Sequence, residues 1–141
     1  MKRILIATDG SAVSRAAVAE GVAFAADLKA AVTFVSVYSA PSSMLGSPHY
    51  ERELSEERAP ARDAVEEGLA AAAKQGVEAD FEIVEGDPAE ELLRLARSRG
   101  ADLVVVGSRG LGVLAGALLG SVSRAVLHGA DGPVLVVRTR P

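Results

Sequence analysis

Short apolar runs recur along the chain and alternate with longer stretches in which apolar residues follow the helical period. The runs are rich in Ile, Val and Leu, as strands buried on both faces are. Five strands are predicted, at residues 4–7, 31–38, 79–85, 102–106 and 133–138. Four helices are predicted between them. Three lie at residues 12–29, 88–100 and about 121–129, and the second helix in chain order starts between Glu51 and Pro60 and ends at about Gln75.

Local signals support several of these boundaries. Ser11 and Asp87 are predicted N-caps, Pro88 occupies the first position of its helix, and Gly76 is a natural C-terminal cap. Pro60 is expected in the first turn of the second helix or at a kink, because proline cannot donate a backbone hydrogen bond.

Two further details concern the packing of these elements. The strand at 79–85 alternates apolar and polar residues, which places it near an edge of the sheet. Gly21 is a weak point of the first helix, costing about 1 kcal/mol relative to alanine.

Regular alternation of strand and helix predicts an α/β fold with right-handed crossovers. Five strands fit a mostly parallel, doubly wound sheet of Rossmann-like or flavodoxin-like order, with helices on both faces. Such sheets bind ligands beyond the carboxyl ends of their strands, where the strand order reverses. The connections after the first, third and fourth strands should meet there, bringing Asp9, Gly86, Asp87 and Gly107 together.

Composition narrows the classes of function. The chain has 141 residues, so 1–141 is treated as a single domain. The absence of cysteine excludes disulfides, thiolate metal sites and a cysteine nucleophile. A net charge of −4 offers no general attraction to nucleic acid or anionic membranes, and no apolar run approaches the ~18 residues of a membrane span. We expect a cytoplasmic protein.

The segment 107–120 carries the candidate chemistry. Its glycines allow backbone N–H groups to approach a ligand closely, and successive N–H groups form anion-binding concavities. A helix beginning near Ser121 adds unpaired N–H groups and a positive dipole end, and Ser121 and Ser123 add hydroxyl donors. Single turn glycines and capping serines are common, but a cluster of them at one strand end favours an anion site.

Other motifs are absent or incomplete. The segment has no lysine, which excludes the lysine-containing phosphate loop. Residues 110–115 match the dinucleotide fingerprint formally, but the following strand ends in Arg138 instead of an acidic residue. No His, Asp and Glu set has metal-ligand spacing, so no structural metal site is predicted.

The pattern Gly107-x2-Gly110-x9-Gly120-Ser121 resembles the ATP-binding signature of the universal stress proteins. The opening strand and turn at 4–11, the turn at 84–88 and the closing strand at 132–137 resemble the same family, in the same order. The resemblance implies that Gly107, Gly110, Gly120 and Ser121 contact phosphate and ribose. Asp9, Val37, Gly86 and Asp87 would flank the rest of the nucleotide. The candidate nucleotide-binding residues are Asp9, Val37, Gly86, Asp87, Gly107, Arg109, Gly110, Gly120, Ser121, Val122 and Ser123.

The resemblance also implies partners. ATP, ADP or AMP would bind, with Mg²⁺ on the phosphates as a hypothesis, and Val134–Val137 would pair two chains into a homodimer. The function it favours is a nucleotide-dependent regulatory or stress-response protein with slow or no hydrolysis. Two alternatives stay open: an ATPase or nucleotidyl-transfer enzyme of the same fold, and a dimeric interaction module that binds no nucleotide.

Overall fold

The computed structural model describes residues 1–41, 43, 45–108 and 119–139. Strands and helices alternate in the predicted order, and most of their ends agree with prediction to within two residues. The strands are β1 (Arg3–Ala7), β2 (Ala31–Tyr38), β3 (Ala79–Glu85), β4 (Leu103–Gly107) and β5 (Val134–Val137). The helices are α1 (Ala12–Leu28), α2 (Tyr50–Lys74), α3 (Pro88–Ser98) and α4 (Ser121–Gly129).

The five strands form one parallel sheet in the order β3-β2-β1-β4-β5. This confirms the predicted α/β fold class and selects the Rossmann-like order. The prediction that the third strand lies near an edge is also confirmed. Because the chain runs outward from β1 to β3 and then returns to place β4 beside β1, the strand order reverses between β1 and β4.

Helices cover both faces of the sheet and define two cores. Ile4, Ile6 and Phe34 point toward α1 and α2, whereas the alternate residues Leu5 and Val35 point toward α3 and α4. All five of these side chains are buried. The side-chain period of two along a strand therefore gives each face its own apolar layer.

Gly21 lies where α1 packs closely on the sheet. A Cβ atom at this position would stand 2.5 Å from Cδ1 of Ile6 and 3.5 Å from Cγ1 of Val105. The sequence marks Gly21 only as a weak point of the helix, but the structure gives it a packing role that alanine would disturb.

The second helix differs from its prediction at the N-terminal end. It begins at Tyr50, before the expected start, and Pro60 lies in its interior instead of its first turn. Proline at this point removes the hydrogen bond that the carbonyl of Glu56 would otherwise accept. Both residues are exposed, so water is available to that carbonyl. None of the helices in the described ranges is long and apolar enough to cross a membrane.

Candidate functional site

A cleft of about 260 Å³ opens at the carboxyl edge of the sheet, where β1 and β4 lie side by side. Its size is near the lower end of small-molecule sites, which are typically about 300–1,000 Å³. It lies at the predicted reversal of strand order. The described residues that line it are Ala7, Thr8, Asp9, Ser11, Ser14, Val35, Val37, Pro88, Leu92, Val106, Gly107, Gly120, Ser121, Val122 and Ser123.

The turn between β1 and α1 brings a carboxylate to the cleft. Gly10 adopts a φ of 82°, a conformation that glycine accepts far more readily than other residues. Oδ1 of Asp9 accepts a hydrogen bond from the N–H of Ser11 at 2.9 Å, and Ser11 caps α1 by accepting from the N–H of Ser14 at 3.2 Å. The direction of the Asp9 side chain is therefore tied to the start of the helix.

The first turn of α4 also lines the cleft. Gly120 is its N-cap and provides no side-chain hydrogen bond, whereas the side chains of Ser11 and Asp87 cap α1 and α3. The first N–H groups of a helix have no acceptor within the helix and lie at the positive end of its dipole. Ser121 and Val122 therefore present N–H groups suited to an anion.

Ser108, Gly120 and Ser123 tie together the two ends of the segment 109–118, which lies outside the described residues. The N–H of Gly120 donates to the carbonyl of Ser108 at 2.5 Å. The buried hydroxyl of Ser123 lies within donating distance of the carbonyls of Ser108 and Gly120, at 3.0 and 3.1 Å. Its hydrogen thus serves the backbone, although sequence analysis offered it as a donor to ligand.

Gly107 ends β4 directly beneath the first turn of α1. A Cβ atom here would stand 2.4 Å from Cγ1 of Val13 and 3.1 Å from the carbonyl oxygen of Val13. Its φ does not lie in the left-handed region, so the backbone does not require glycine. The glycine is needed because α1 and β4 approach each other closely at the cleft.

An apolar wall completes the cleft. Val35 and Val37 from the end of β2, Leu92 from α3 and Val106 from β4 line it. These side chains suit the face of a planar heterocycle, because such sites are mostly apolar with a few directed polar groups.

Most described candidate residues meet in this cleft, but two do not. Asp9, Val37, Gly107, Gly120 and residues 121–123 line it. Gly86 and Asp87 do not line the cleft. The residues that line it from this part of the chain are Pro88 and Leu92. Arg109 and Gly110 lie outside the described residues.

The positions of Gly86 and Asp87 have a local cause. Asp87 accepts from the N–H of Glu90 at 3.0 Å and so caps α3. Gly86 adopts a φ of 144°, which few other residues tolerate. The requirements of the turn into α3 account for both residue types.

Thr8 and Ser14 belong to the cleft and were missed from the sequence. Both are almost fully buried, and their oxygen atoms lie 3.3 Å apart. The available signal was a serine three residues after a predicted N-cap, where a capping box usually has Glu or Gln.

Charge in the described part of the cleft comes from one side chain, the carboxylate of Asp9. No group of three or more His, Asp or Glu side chains in the described ranges is placed to hold a metal ion. The lining therefore combines a carboxylate with a helix N-terminus.

A network of charged side chains that includes Asp80 lies at the amino ends of the strands, away from the cleft, and the pKa of Asp80 is shifted. Burial alone would raise the pKa of Asp80, but hydrogen bonds from Thr33 and Arg99, with the charges of Arg99 and Arg3, outweigh burial and lower it. Because Asp80 lies near the amino end of β3, this network stabilises the sheet away from the cleft.

Comparison with known proteins gives a consistent result. The model of the universal stress protein family matches residues 1–138. A Thermus aquaticus protein, the universal stress protein in QAH/OAS sulfhydrylase 3'region, is 37% identical over 138 residues, covering 97% of this chain and 98% of its own.

Solved structures agree. The universal stress protein UspA from Lactobacillus plantarum has a TM-score of 0.83 and 28% identity, with 97% of both chains covered. A universal stress protein crystallised in complex with cAMP has a TM-score of 0.77 and 31% identity, covering 99% of this chain and 98% of its own.

Proposed function

The chain belongs to the universal stress protein family, and we propose that it is an adenine-nucleotide-binding regulator of a stress response. ATP, ADP or AMP would occupy the cleft between β1 and β4. The observation that carries this proposal is the N-terminus of α4, which lines the cleft and whose N-cap residue, Gly120, has no side chain to cap it. The related protein crystallised with cAMP supports the same ligand class.

The polar and apolar groups of the lining suggest how the nucleotide would lie. Phosphate would sit at the N–H groups of Ser121 and Val122, where the helix dipole favours negative charge. The carboxylate of Asp9 would repel phosphate but would accept hydrogen bonds from ribose hydroxyls or an amino group. The base would then rest against Val35 and Val37.

A magnesium ion would depend mainly on the nucleotide. Mg²⁺ is commonly held by one or two carboxylates together with substrate phosphates and water. The described lining offers one carboxylate, that of Asp9, so the residues fit a metal that arrives with ATP. Its chemistry there would be neutralisation of phosphate charge.

We favour binding over turnover as the function. Phosphoryl transfer needs charge neutralisation at the transferred group and a residue that positions the nucleophile. Asp9 is the single ionisable side chain in the described lining, and Arg109 belongs to the segment outside it. Phosphate release above background that disappears in Asp9→Ala would favour the enzyme alternative instead.

We also propose a homodimer through β5. Its residues Val134–Val137 are all apolar and leave an edge of the sheet available for pairing. The opposite edge, β3, carries Asp80 and Glu82, both held by Arg99. Charges on an edge strand discourage pairing, so the two edges differ in the way that a specific dimer requires.

Isothermal titration with ATP, ADP, AMP and adenosine tests the nucleotide proposal. Gly120→Val should abolish binding, because its φ of −74° and ψ of 168° suit any residue and the new side chain would stand at the N-terminus of α4. Gly132→Val is the matched control, since among the described residues no atom beyond its chain neighbours lies within 4 Å of a Cβ atom there. Unchanged affinity in Gly120→Val, or no binding by the unaltered protein, would contradict the proposal.

A further inference from the structure

The buried hydroxyl of Ser14 contacts three groups of the turn that leads into α1. Its Oγ lies 3.0 Å from the carbonyl oxygen of Ser11, 3.3 Å from the backbone nitrogen of Asp9 and 3.3 Å from Oγ1 of Thr8. Ser14 is 6% exposed, and it lines the cleft. A side chain in this position either binds ligand or shapes the site.

The number of hydrogens decides between these roles. A serine hydroxyl has one hydrogen and two acceptor lone pairs. The carbonyl of Ser11 takes the hydrogen, because a carbonyl only accepts, and the N–H of Asp9 occupies one lone pair, because an N–H only donates. The hydroxyl of Thr8 then donates to the second lone pair. No hydrogen of Ser14 is left for a ligand.

The same turn is held from its other side by Asp9. Its Oδ1 accepts from the N–H of Ser11, while its own N–H donates to Ser14. Gly10 lies between Asp9 and Ser11 and has a φ of 82°, which lets the backbone change direction at the turn. Residues 9–11 are thus fixed by two side chains, and one of these is the carboxylate that faces the cleft.

We propose that Ser14, with Thr8 behind it, is a positioning residue of the nucleotide site: it fixes the backbone from which Asp9 projects. This inference rests on the proposed function, because the position of Asp9 matters only if Asp9 contacts the nucleotide. Ser14 acts through Asp9 and does not touch the ligand's reacting atoms.

Helix stability gives no reason for serine here. Alanine has the higher helix propensity, and Ser14 stands in the first turn of α1. Ser14→Ala should remain folded but lower the melting temperature by several degrees, because the gain in propensity offsets only part of the lost hydrogen bonds. A loss of nucleotide affinity would separate positioning from stability.

A double-mutant cycle measured by titration with ATP tests the proposal. Ser14→Ala should weaken ATP binding about tenfold, equivalent to about 1.4 kcal/mol. In an Asp9→Ala background the same change should alter the affinity less than about twofold, because no carboxylate remains to be positioned. Thr8→Val should weaken binding in the same direction, and Thr8→Ser should restore it.

Ser98→Ala is the matched control, because it removes a hydroxyl that also bonds a carbonyl three residues earlier, in α3. It should leave ATP affinity unchanged. An affinity of Ser14→Ala within twofold of the unaltered protein would overturn the positioning role, as would an equal loss in both backgrounds. Failure of the unaltered protein to bind any adenine nucleotide would instead overturn the proposed function on which the inference rests.

Discussion

Replacing Gly107 with alanine should destabilise the fold through one steric contact. The added methyl would stand 2.4 Å from Cγ1 of Val13, well inside any real Cβ contact, and 3.1 Å from the carbonyl oxygen of the same residue. Overpacking of this kind costs about 1–3 kcal/mol. At so short a distance the upper part of that range, about 2–3 kcal/mol, applies. Alanine recovers roughly 0.5–1 kcal/mol by restricting the unfolded chain, so the net loss should be about 1–2.5 kcal/mol.

A second substitution turns this estimate into a test of mechanism. Val13→Ala removes the nearest atom, Cγ1, and leaves the carbonyl at 3.1 Å. Val13→Ala alone should cost about 1 kcal/mol, because Val13 is half-buried. If the clash is the cause, the double variant should be about 1 kcal/mol more stable than the sum of the single losses predicts.

Urea denaturation followed by circular dichroism measures these free energies, and Gly132→Ala, in open space, serves as the control. Gly107→Ala should also weaken ATP binding, since Val13 lies in the helix turn that carries the cleft residues Ser11 and Ser14. Unaltered stability of Gly107→Ala would refute the packing argument. Strictly additive losses in the double variant would show that Val13 is not the residue displaced.

Three other predictions follow from the fold and the site. Gly21→Ala should lower the free energy of unfolding by about 1–3 kcal/mol despite its better helix propensity, because its Cβ would meet Ile6; a more stable variant would contradict this. Because the pKa of Asp80 is lowered, the contribution of its carboxylate to the stability of the fold is present above the ordinary value of 3.8 and is lost as pH falls through the folded-state pKa. The melting temperature of Asp80→Asn should therefore fall less at acid pH than that of the unaltered protein. Parallel plots of melting temperature against pH would contradict this. Leu135→Lys on the edge strand should convert the proposed dimer to a monomer by light scattering, and a monomeric unaltered protein would remove the dimer proposal.

The fold was predictable because its signals are local. The predicted strands at 31–38, an apolar run, and 79–85, an alternating pattern, match β2 and β3 in full, and the N-cap Asp87 followed by Pro88 marks the start of α3. Pro60 lies inside α2, so its predicted place in the first turn is wrong while the predicted kink stays a prediction, and an exposed proline can remain inside a helix when water replaces the missing bond.

The site was predictable in outline but not in its contacts. The reversal of strand order and the start of α4 at Ser121 follow from pattern and turn signals. The approach of Val13 to Gly107 depends on how α1 packs on β4, which no local pattern encodes. For the same reason Ser14 was missed, because its partners meet only once the turn has folded.

Identification of whatever the purified protein carries tests the central claim most directly. The protein would be purified without added nucleotide and denatured, and the released small molecules would be separated by chromatography. If the protein carries less than one nucleotide per chain, a portion that has not been denatured would be titrated with ATP and Mg²⁺. We expect an adenine nucleotide to be either released or bound on titration in a one-to-one ratio, and this binding to be lost in Gly120→Val. An empty protein that also shows no binding of ATP, ADP or AMP would contradict it and favour the nucleotide-free interaction module.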